Sequence, residues 1–342
     1  MEREVLYFTK PHSVEVRQEP TPNPKADELL VKTAVSAISA GTEMLLYRGQ
    51  MPTGMAVDET IASLAGEIAY PLTYGYQAVG RVVETGAAVD KGWNGRLVFS
   101  FQPHQSYFTA RPDEVMLVPE GIGAETAVFL PNMETAVSFI MDGQPVIGEQ
   151  VAVFGQGIVG LLTTSLLAQL PLASLVTLDA YPLRRDWSLK RGAQASLDPT
   201  EADSLVDLRG ALQGKRPFAG ADLSYELSGN PQALDQAIKA TGYSGRIVIG
   251  SWYGQKRFPI DLGGHFHRSH IRLISSQVST IAPQWNGRWT KPRRLQTAWD
   301  MLRKHNPAEL ISHRFRLDEA TKAYRLLDEG AETAVQVVFK YL

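Results

Sequence analysis

Short runs of alternating and β-branched residues, separated by proline and glycine, occupy residues 1–120. Alternation with a period of two places every second side chain on one face, so each run predicts a half-buried strand. Together the runs predict an antiparallel, β-barrel-like domain. They are residues 5–9, 13–17, 29–39, 78–84, 96–101 and 114–118.

The pattern changes near residue 136, where short apolar runs begin to alternate with helical segments. Such alternation is typical of a parallel sheet covered by helices on both faces. This part of the chain therefore predicts an α/β Rossmann domain with a doubly wound parallel sheet. From about residue 292 the predicted order is helix, strand, helix, strand. The strand candidates of the α/β part are residues 151–154, 175–178, 195–197, 222–226, 246–249 and 271–275.

The first strand-to-helix junction of the α/β part carries a Gly-x-Gly-x-x-Gly motif, in the context that predicts a dinucleotide site. Gly155 suits a tight turn, Gly157 lets a pyrophosphate approach the main chain, and Gly160 lets the helix pack closely on the strand. The amino end of the helix is suited to bind the phosphates. The predicted motif residues are Gly155, Gln156, Gly157, Ile158, Val159 and Gly160.

Asp179 ends the next strand candidate, 19 residues beyond Gly160. A carboxylate there accepts hydrogen bonds from a ribose 2′-hydroxyl and repels a 2′-phosphate, so NAD is predicted in preference to NADP. Arg184 and Arg185 leave NADP open as the alternative, although Arg184 is also suited to contact the adenine ribose. Ser228 and Gly250 complete the predicted cofactor-binding residues.

Charge and composition exclude several classes of partner and of chemical site. The 342 residues carry 34 Lys and Arg against 36 Asp and Glu, so the net charge of −2 favours neither a nucleic-acid nor a membrane partner. Cysteine is absent, which excludes disulfides, thiolate nucleophiles and Cys-ligated zinc. The sequence shows no membrane-spanning run and no signal peptide, so a soluble cytoplasmic protein is expected.

Several motifs resemble the medium-chain dehydrogenase/reductase superfamily, the alcohol dehydrogenase and quinone reductase group. Residues 40–43 read Ala-Gly-Thr-Glu, residues 71–80 follow Pro-x-x-x-Gly-Tyr-Gln-x-x-Gly, and Thr135-Ala136 matches the segment before the cofactor domain. Residues 310–314, together with Glu319-Ala320 and Ala323-Tyr324, match the carboxyl-terminal signature. Ile38 to Glu43 and the Tyr70-Pro71-Leu72 segment are most similar to the bacteriochlorophyllide a dehydrogenase-like branch.

The resemblance implies a GroES-like catalytic domain formed by residues 1–135 and 276–342, and a Rossmann NAD-binding domain formed by residues 136–275. It also implies a cleft between them for NAD and substrate, and a homodimer. Residues 49–70 interrupt the β-rich part and are a candidate lid that selects the substrate.

The positions that bind zinc in the resembling enzymes are altered here. They are occupied by Ala40, Tyr76, Gln77 and, at the second cysteine position, Pro131. None of these side chains is a good zinc ligand, and the structural zinc lobe lacks its cysteines. The resemblance therefore implies a zinc-independent member with no metal site.

Without zinc, a side chain has to exchange a proton with the reacting oxygen. Tyr76 is the first candidate, most readily as a hydrogen-bond donor, and the alternative is that it only fills the vacated space. Thr42 stands where the family relays the substrate proton, although Leu45 replaces the histidine that continues the relay. His104 is a candidate acid–base group or a satisfied structural histidine. Glu43 is included as a candidate, with a structural role favoured.

Two further clusters have simpler interpretations. His265, His267 and His270 form a histidine pattern, but without an acid among them a metal site is disfavoured. The basic run Arg288, Lys291, Arg293 and Arg294 predicts a solvated start of a helix, and an anionic substrate group is the alternative.

The sequence thus predicts a zinc-independent, NAD(H)-dependent oxidoreductase that interconverts a secondary alcohol and its ketone. One alternative is an NADPH-dependent reductase of enones or quinones. Another is a catalytically silent dinucleotide-binding protein. The substrate is not identified, although the branch resemblance suggests a bulky or ring-bearing alcohol.

Overall fold

The computed structural model describes residues 1–51, 69–212 and 220–341. Most of the candidate lid, residues 52–68, lies outside the described residues, so the lid remains a prediction. No helix in the described ranges combines the length and the apolarity needed to cross a bilayer.

The strands are β1 (Glu2–Lys10), β2 (Ser13–Pro20), β3 (Leu29–Ala37), β4 (Leu72–Thr73), β5 (Ala78–Thr85), β6 (Leu97–Ser100), β7 (Tyr107–Ala110), β8 (Val115–Leu117), β9 (Gln150–Phe154), β10 (Ser174–Leu178), β11 (Ala195–Leu197), β12 (Ala221–Glu226), β13 (Thr241–Ile249), β14 (Arg272–Ser275), β15 (Ile311–Arg316) and β16 (Gln336–Lys340). The helices are α1 (Ala40–Tyr47), α2 (Ala124–Ala127), α3 (Leu130–Gly143), α4 (Ile158–Leu167), α5 (Pro182–Lys190), α6 (Ser204–Ala211), α7 (Pro231–Ala240), α8 (Lys291–His305) and α9 (Ala320–Glu329). Every strand candidate of the sequence coincides with one of these strands, whereas β4 and β7 were not predicted.

The chain divides into two compact units, Met1–Pro131 with Trp299–Leu342, and Asn132–Ala298. The first therefore contains both chain ends. The division on the carboxyl-terminal side passes through α8.

The first unit contains a seven-stranded sheet and a three-stranded sheet. The larger sheet follows the order β15-β16-β3-β5-β6-β8, with β7 also paired to β3. Its pairs are antiparallel except β15 with β16, which run parallel. The smaller sheet has the order β2-β1-β4. A core that includes Phe8, Tyr324 and Phe339 packs α1 and α9 against these strands, which fixes the position of α1.

The second unit is built on a six-stranded parallel sheet in the order β11-β10-β9-β12-β13-β14. This is the strand order of a doubly wound Rossmann sheet, in which ligands bind beyond the carboxyl ends of the strands where the order reverses. Here the reversal lies between β9 and β12. The side chains of Val151 to Phe154 on β9 are at most 1% exposed, as expected for a central strand covered on both faces. The predicted fold class is confirmed.

An ion-pair cluster in the first unit makes its stability depend on pH. Glu125 accepts two hydrogen bonds of 2.9 Å from Arg314 and one of 3.2 Å from Lys340. The bond from Arg314 is the main cause that lowers the pKa of Glu125 from 4.5 to about 2. Since the folded pKa is depressed, the stabilisation is complete above pH 4.5 and is lost as the pH falls towards 2.

We therefore expect Glu125→Gln to lower the free energy of unfolding by about 1 kcal/mol near neutral pH, the upper range for partly exposed pairs. The difference from wild type should shrink to zero as the pH falls through this range, measured by urea unfolding. Glu120→Gln is the matched control, because Glu120 is exposed and has no ion pair among the described residues. A difference that stays constant with pH would show that the charge of Glu125 is not responsible.

Candidate cofactor and catalytic sites

The glycine-rich turn connects β9 to α4 at the reversal point of the parallel sheet. Gly155 has a φ of +94°, and a Cβ on it would lie 2.5 Å from the Cα of Ser228. A Cβ on Gly160 would lie 2.0 Å from the carbonyl oxygen of Gly155, so the helix approaches the turn closely. At Gly157, which precedes α4, a Cβ would meet nothing within 4 Å. The main chain at the amino end of α4 is therefore open to a ligand.

Among the other motif residues, Gln156 stabilises the turn through hydrogen bonds of its side chain. The side chain of Gln156 is fully buried, where its amide donates to the Gly155 carbonyl at 3.0 Å and its oxygen accepts from Thr164 at 3.0 Å. Ile158 and Val159 form the first turn of α4.

Asp179 follows β10 and lies beside the glycine-rich turn. One carboxylate oxygen accepts the backbone N–H of Gln156 at 2.7 Å, and the other accepts the backbone N–H of Tyr181 at 2.9 Å. Each carboxylate oxygen has a second lone pair, so both retain acceptor capacity. The structure thus holds this carboxylate in a fixed orientation at the edge of the candidate cofactor site.

The two arginines after Asp179 have different surroundings. Arg185 donates to the carbonyl oxygens of Asp179 and Ala180 at 2.8 and 2.9 Å, and to the carboxylate of Asp198 at 2.9 Å. Arg184 lies over the ring of Tyr181, with its Nη1 4.0 Å from an oxygen of Asp179. Arg185 therefore donates its hydrogen bonds to groups of the protein, whereas Arg184 lies at the edge of the candidate cofactor site.

Ser228 and Gly250 lie at the carboxyl ends of the neighbouring strands. The fully buried Glu226, at the end of β12, accepts the backbone N–H of Ser228 at 2.9 Å and its hydroxyl at 2.5 Å, and also accepts the hydroxyl of Tyr253. The backbone N–H of Gly250 donates to the Glu226 carbonyl at 3.0 Å. The sequence did not single out Glu226, which fixes both loops next to the glycine-rich turn.

In the first unit, three hydroxyl groups meet at the amino end of α1. The hydroxyl of Tyr76 lies 2.5 Å from the Ser39 hydroxyl and 3.4 Å from the Thr42 hydroxyl. Tyr76 and Thr42 are half-buried, whereas Ser39 is buried. This hydroxyl cluster, Ser39, Thr42 and Tyr76, can donate to or accept from an oxygen atom of a ligand. It brings together two of the predicted catalytic residues and adds Ser39.

Behind the hydroxyl cluster lies a fully buried hydrogen-bond network around Glu43. Glu43 accepts the backbone N–H of Ser39 at 2.7 Å, the Nε2–H of His104 at 3.0 Å and the hydroxyl of Tyr324 at 2.5 Å. Burial, reinforced by the Glu43 carboxylate, raises the pKa of Tyr324 well above its usual value, so its hydroxyl stays protonated and donates. His104 and Glu43 have no exposed surface, and the Nδ1 of His104 lies 2.7 Å from the Ser36 hydroxyl.

The network predicts that Glu43 stabilises the fold. In Glu43→Gln the amide nitrogen would face a donor, leaving buried groups unpaired, and we expect a loss of about 3 kcal/mol in the free energy of unfolding. Glu28→Gln is the matched control, because Glu28 also accepts a backbone N–H, from Lys25 at 3.0 Å, but at the surface. Both are measured by urea unfolding. A loss in Glu43→Gln no larger than in the control would contradict the paired carboxylate.

The residues at the zinc positions that the resemblance indicates offer few donor atoms to a metal ion. Ala40 has no donor atom, Pro131 has no side-chain donor, and the hydroxyl of Tyr76 is engaged with Ser39. Gln77 is fully buried, and neither of its amide atoms has a partner among the described residues. Within residues 1–51, 69–212 and 220–341, no three His, Cys, Asp or Glu side chains are grouped to hold a metal ion. These residues do not fit a catalytic zinc.

One expectation about the basic run is corrected. Arg294 does not belong to a solvated helix start: it is 1% exposed and donates to Glu134 at 3.0 and 3.1 Å within the second unit. The ion pair accounts for its burial. In the histidine pattern, the ring nitrogens of His265 contact the Thr241 carbonyl at 2.8 Å and the Ser269 hydroxyl at 3.1 Å.

Among the site residues of the first unit that the sequence analysis did not single out, Ser39 could have been predicted and Tyr324 could not. Ser39 lies in the motif that carries the resemblance and is a residue type preferred before a helix. Tyr324 lies in the carboxyl-terminal signature, but nothing local links it to Glu43, 281 positions away.

Comparison with known proteins agrees with the fold. No protein-family model matches the chain. The D-guloside 3-dehydrogenase of Escherichia coli strain K12 is 23% identical over 292 residues, covering 81% of each chain. Relatives of this kind are alcohol and polyol dehydrogenases.

Solved structures show the same architecture over nearly the whole chain. The zinc-dependent alcohol dehydrogenase 2 of Streptococcus pneumoniae has a TM-score of 0.79 at 19% identity, covering 99% of this chain and 98% of that one. An alcohol dehydrogenase of Escherichia coli CFT073 complexed with NADH has a TM-score of 0.78 at 16% identity, covering 99% of both chains. The chain shares the fold of these solved dehydrogenases.

Proposed function

We propose that the protein is a dehydrogenase that uses NAD(H), in preference to NADP(H), to interconvert a secondary alcohol and its ketone without zinc. The observation that carries the proposal is the glycine-rich turn of the second unit, open above Gly157 with the Asp179 carboxylate beside it. The dehydrogenase relatives support alcohol oxidoreduction, and structural neighbours bound to NADH and to NADP support a dinucleotide cofactor of either kind.

The surroundings of Asp179 support the preference for NAD. Its carboxylate is held by two backbone N–H groups and retains lone pairs for the ribose hydroxyls. Arg185, one of the two residues suited to a 2′-phosphate, is bound to Asp198 and to two carbonyl oxygens. Of these two arginines, Arg184 alone would then be left to offset the fixed negative charge that NADP(H) meets at Asp179.

The hydroxyl cluster supports chemistry without a metal. When bound, NAD⁺ supplies the acceptor for the hydride that leaves the alcohol carbon. In this proposal Tyr76 binds the reacting oxygen and takes its proton during oxidation, or returns it during reduction. Thr42 contacts the same oxygen or Tyr76. The buried Glu43 and His104 hold the cluster from behind, which makes them positioning residues.

The substrate proposed is a ring-bearing secondary alcohol. The similarity to the bacteriochlorophyllide a dehydrogenase-like branch suggests it, and a sugar-ring alcohol is the type of substrate that the name of the D-guloside 3-dehydrogenase relative indicates. The domain boundaries at residues 135 and 276, the lid within 49–70 and the homodimer remain predictions of the sequence.

The experiment that tests this function is a turnover screen with purified protein and NAD⁺. The panel begins with a D-guloside and extends to other ring-bearing and open-chain secondary alcohols, and NADH formation is followed by its absorbance. We expect turnover with at least one ring-bearing secondary alcohol and slower turnover with NADP⁺. Tight NADH binding with no turnover in either direction would instead favour a silent dinucleotide-binding protein, and reduction of a C=C bond by NADPH would favour an enone reductase.

A further inference from the structure

Ser39 stands in the N-cap position of α1 but does not cap it with its side chain. A serine at this position normally accepts a backbone N–H from the first turn, an interaction of about 1 kcal/mol. Here the N–H groups of Thr42 and Glu43 donate to the backbone carbonyl of Ser39, at 3.0 and 2.7 Å. The Ser39 hydroxyl is directed to Tyr76 instead, at 2.5 Å.

The main chain of Ser39 is fixed from the protein interior. Its N–H donates to the Glu43 carboxylate, which is itself held by His104 and Tyr324. The residue is 7% exposed, so water has little access to compete for its hydroxyl. A local helix-capping preference has therefore been replaced by a contact to another side chain, which is the kind of exception expected at functional sites.

When Tyr76 donates its only hydroxyl hydrogen to a ligand, the hydrogen bond between Ser39 and Tyr76 has to run from Ser39 to Tyr76. A tyrosine hydroxyl has one hydrogen, and its oxygen can also accept. If that hydrogen is donated to a ketone oxygen, the phenol oxygen is left to accept from its neighbours. The Ser39 hydroxyl at 2.5 Å is the nearer donor, and Thr42 at 3.4 Å is the more distant one.

We propose that Ser39 is the positioning residue of Tyr76: its hydroxyl donates to the phenol oxygen and directs the phenol hydrogen towards the substrate oxygen. This inference rests on the proposed function. In the reduction, bound NADH would supply the hydride to the carbonyl carbon, and the Tyr76 proton would pass to the carbonyl oxygen, which leaves a Tyr76 phenolate. The hydrogen bond from Ser39 stabilises that phenolate until a solvent proton restores the phenol. Oxidation follows the reverse order.

The test compares Ser39→Ala with Ser39→Thr, which keeps the hydroxyl. Ser100→Ala is the matched control, because Ser100 is also a buried serine of the first unit and its hydroxyl donates to the Glu114 carbonyl at 3.1 Å. For Ser39→Ala we expect kcat to fall about tenfold with KM retained, the factor of one hydrogen bond. The pH at which alcohol oxidation reaches half its maximal rate should rise by about one unit. Ser39→Thr should recover kcat to within a few-fold, and Ser100→Ala should change neither quantity.

A second readout needs no substrate. With tyrosine carrying carbon-13 at the ring carbon that bears the hydroxyl, the NMR signal absent from Tyr76→Phe identifies Tyr76, and its titration is followed in wild type and Ser39→Ala. An upward shift of that midpoint in Ser39→Ala supports the inference, and an unchanged midpoint together with an unchanged pH–rate profile overturns it. If Tyr76→Phe abolishes turnover while Ser39→Ala changes nothing, only the role of Ser39 fails. If Tyr76→Phe retains full turnover, the proposed chemistry itself fails.

Discussion

Tyr76→Phe is expected to reduce turnover by at least about 100-fold while leaving the affinity for NADH unchanged. The substitution removes one oxygen atom and retains the ring, which packs against the core of the first unit and contacts Tyr74 edge to face. The fold should therefore be preserved. The loss is attributed to the hydroxyl that lies 2.5 Å from Ser39, because this group exchanges a proton with the substrate oxygen in the proposed reaction.

Tyr7→Phe provides the matched control for this experiment. The Tyr7 hydroxyl is also in the first unit and also hydrogen-bonded, to Glu19 at 2.6 Å, but it belongs to the three-stranded sheet. Steady-state kinetics with NAD⁺ and the best alcohol of the panel, together with NADH fluorescence titration, separate the two variants. Equal turnover in wild type and Tyr76→Phe would leave Tyr76 with a packing role only.

Asp179→Asn is expected to weaken NADH binding about tenfold to 100-fold and to strengthen NADPH binding. Hydrogen bonds to a charged group contribute about 1.5–3 kcal/mol, and the neutral amide loses that part of the contact to the ribose hydroxyls. It also removes the charge that repels a 2′-phosphate. Asparagine is preferable to alanine because its oxygen can still accept one of the two backbone N–H groups that Asp179 now accepts.

Asp222→Asn is the control for the cofactor experiment. Asp222 also accepts a backbone N–H, from Gln150 at 2.8 Å, but at the amino ends of β9 and β12, away from the carboxyl ends where a nucleotide binds. Paired fluorescence titrations with NADH and NADPH measure both variants. If Asp179→Asn keeps the wild-type ratio of the two affinities, the carboxylate does not select the cofactor.

The fold was largely predictable because its signals are local. The continuous apolar run at 151–154 is sufficient to indicate a central parallel strand, and a glycine-rich turn followed by a helical pattern indicates the connection beyond it. The strands that were missed depend on pairing between distant segments. β4 has only two residues paired to β1, and β7 is paired to β3, more than 70 positions earlier in the chain.

The candidate sites were predictable to different degrees. The cofactor residues follow one another along the sequence with a known spacing, so Gly155 and Asp179 could be named in advance. The hydroxyl cluster depends on tertiary contacts: Ser39 and Tyr76 are 37 positions apart, and Glu43 and Tyr324 are 281 apart. Arg294 illustrates the same limit. Four basic residues within the seven positions 288–294 predict a solvated surface, and the burial of Arg294 is explained by its ion pair with the distant, buried Glu134.

The most direct test of metal-independent, NAD-dependent alcohol oxidation is a turnover assay on chelator-treated protein, with the metal content of the same sample measured by mass spectrometry. Because the residues at the zinc positions do not fit the ion, we predict that treated and untreated protein have equal turnover and that zinc is far below one ion per chain. Loss of activity on chelation, restored by added Zn²⁺, would contradict the account.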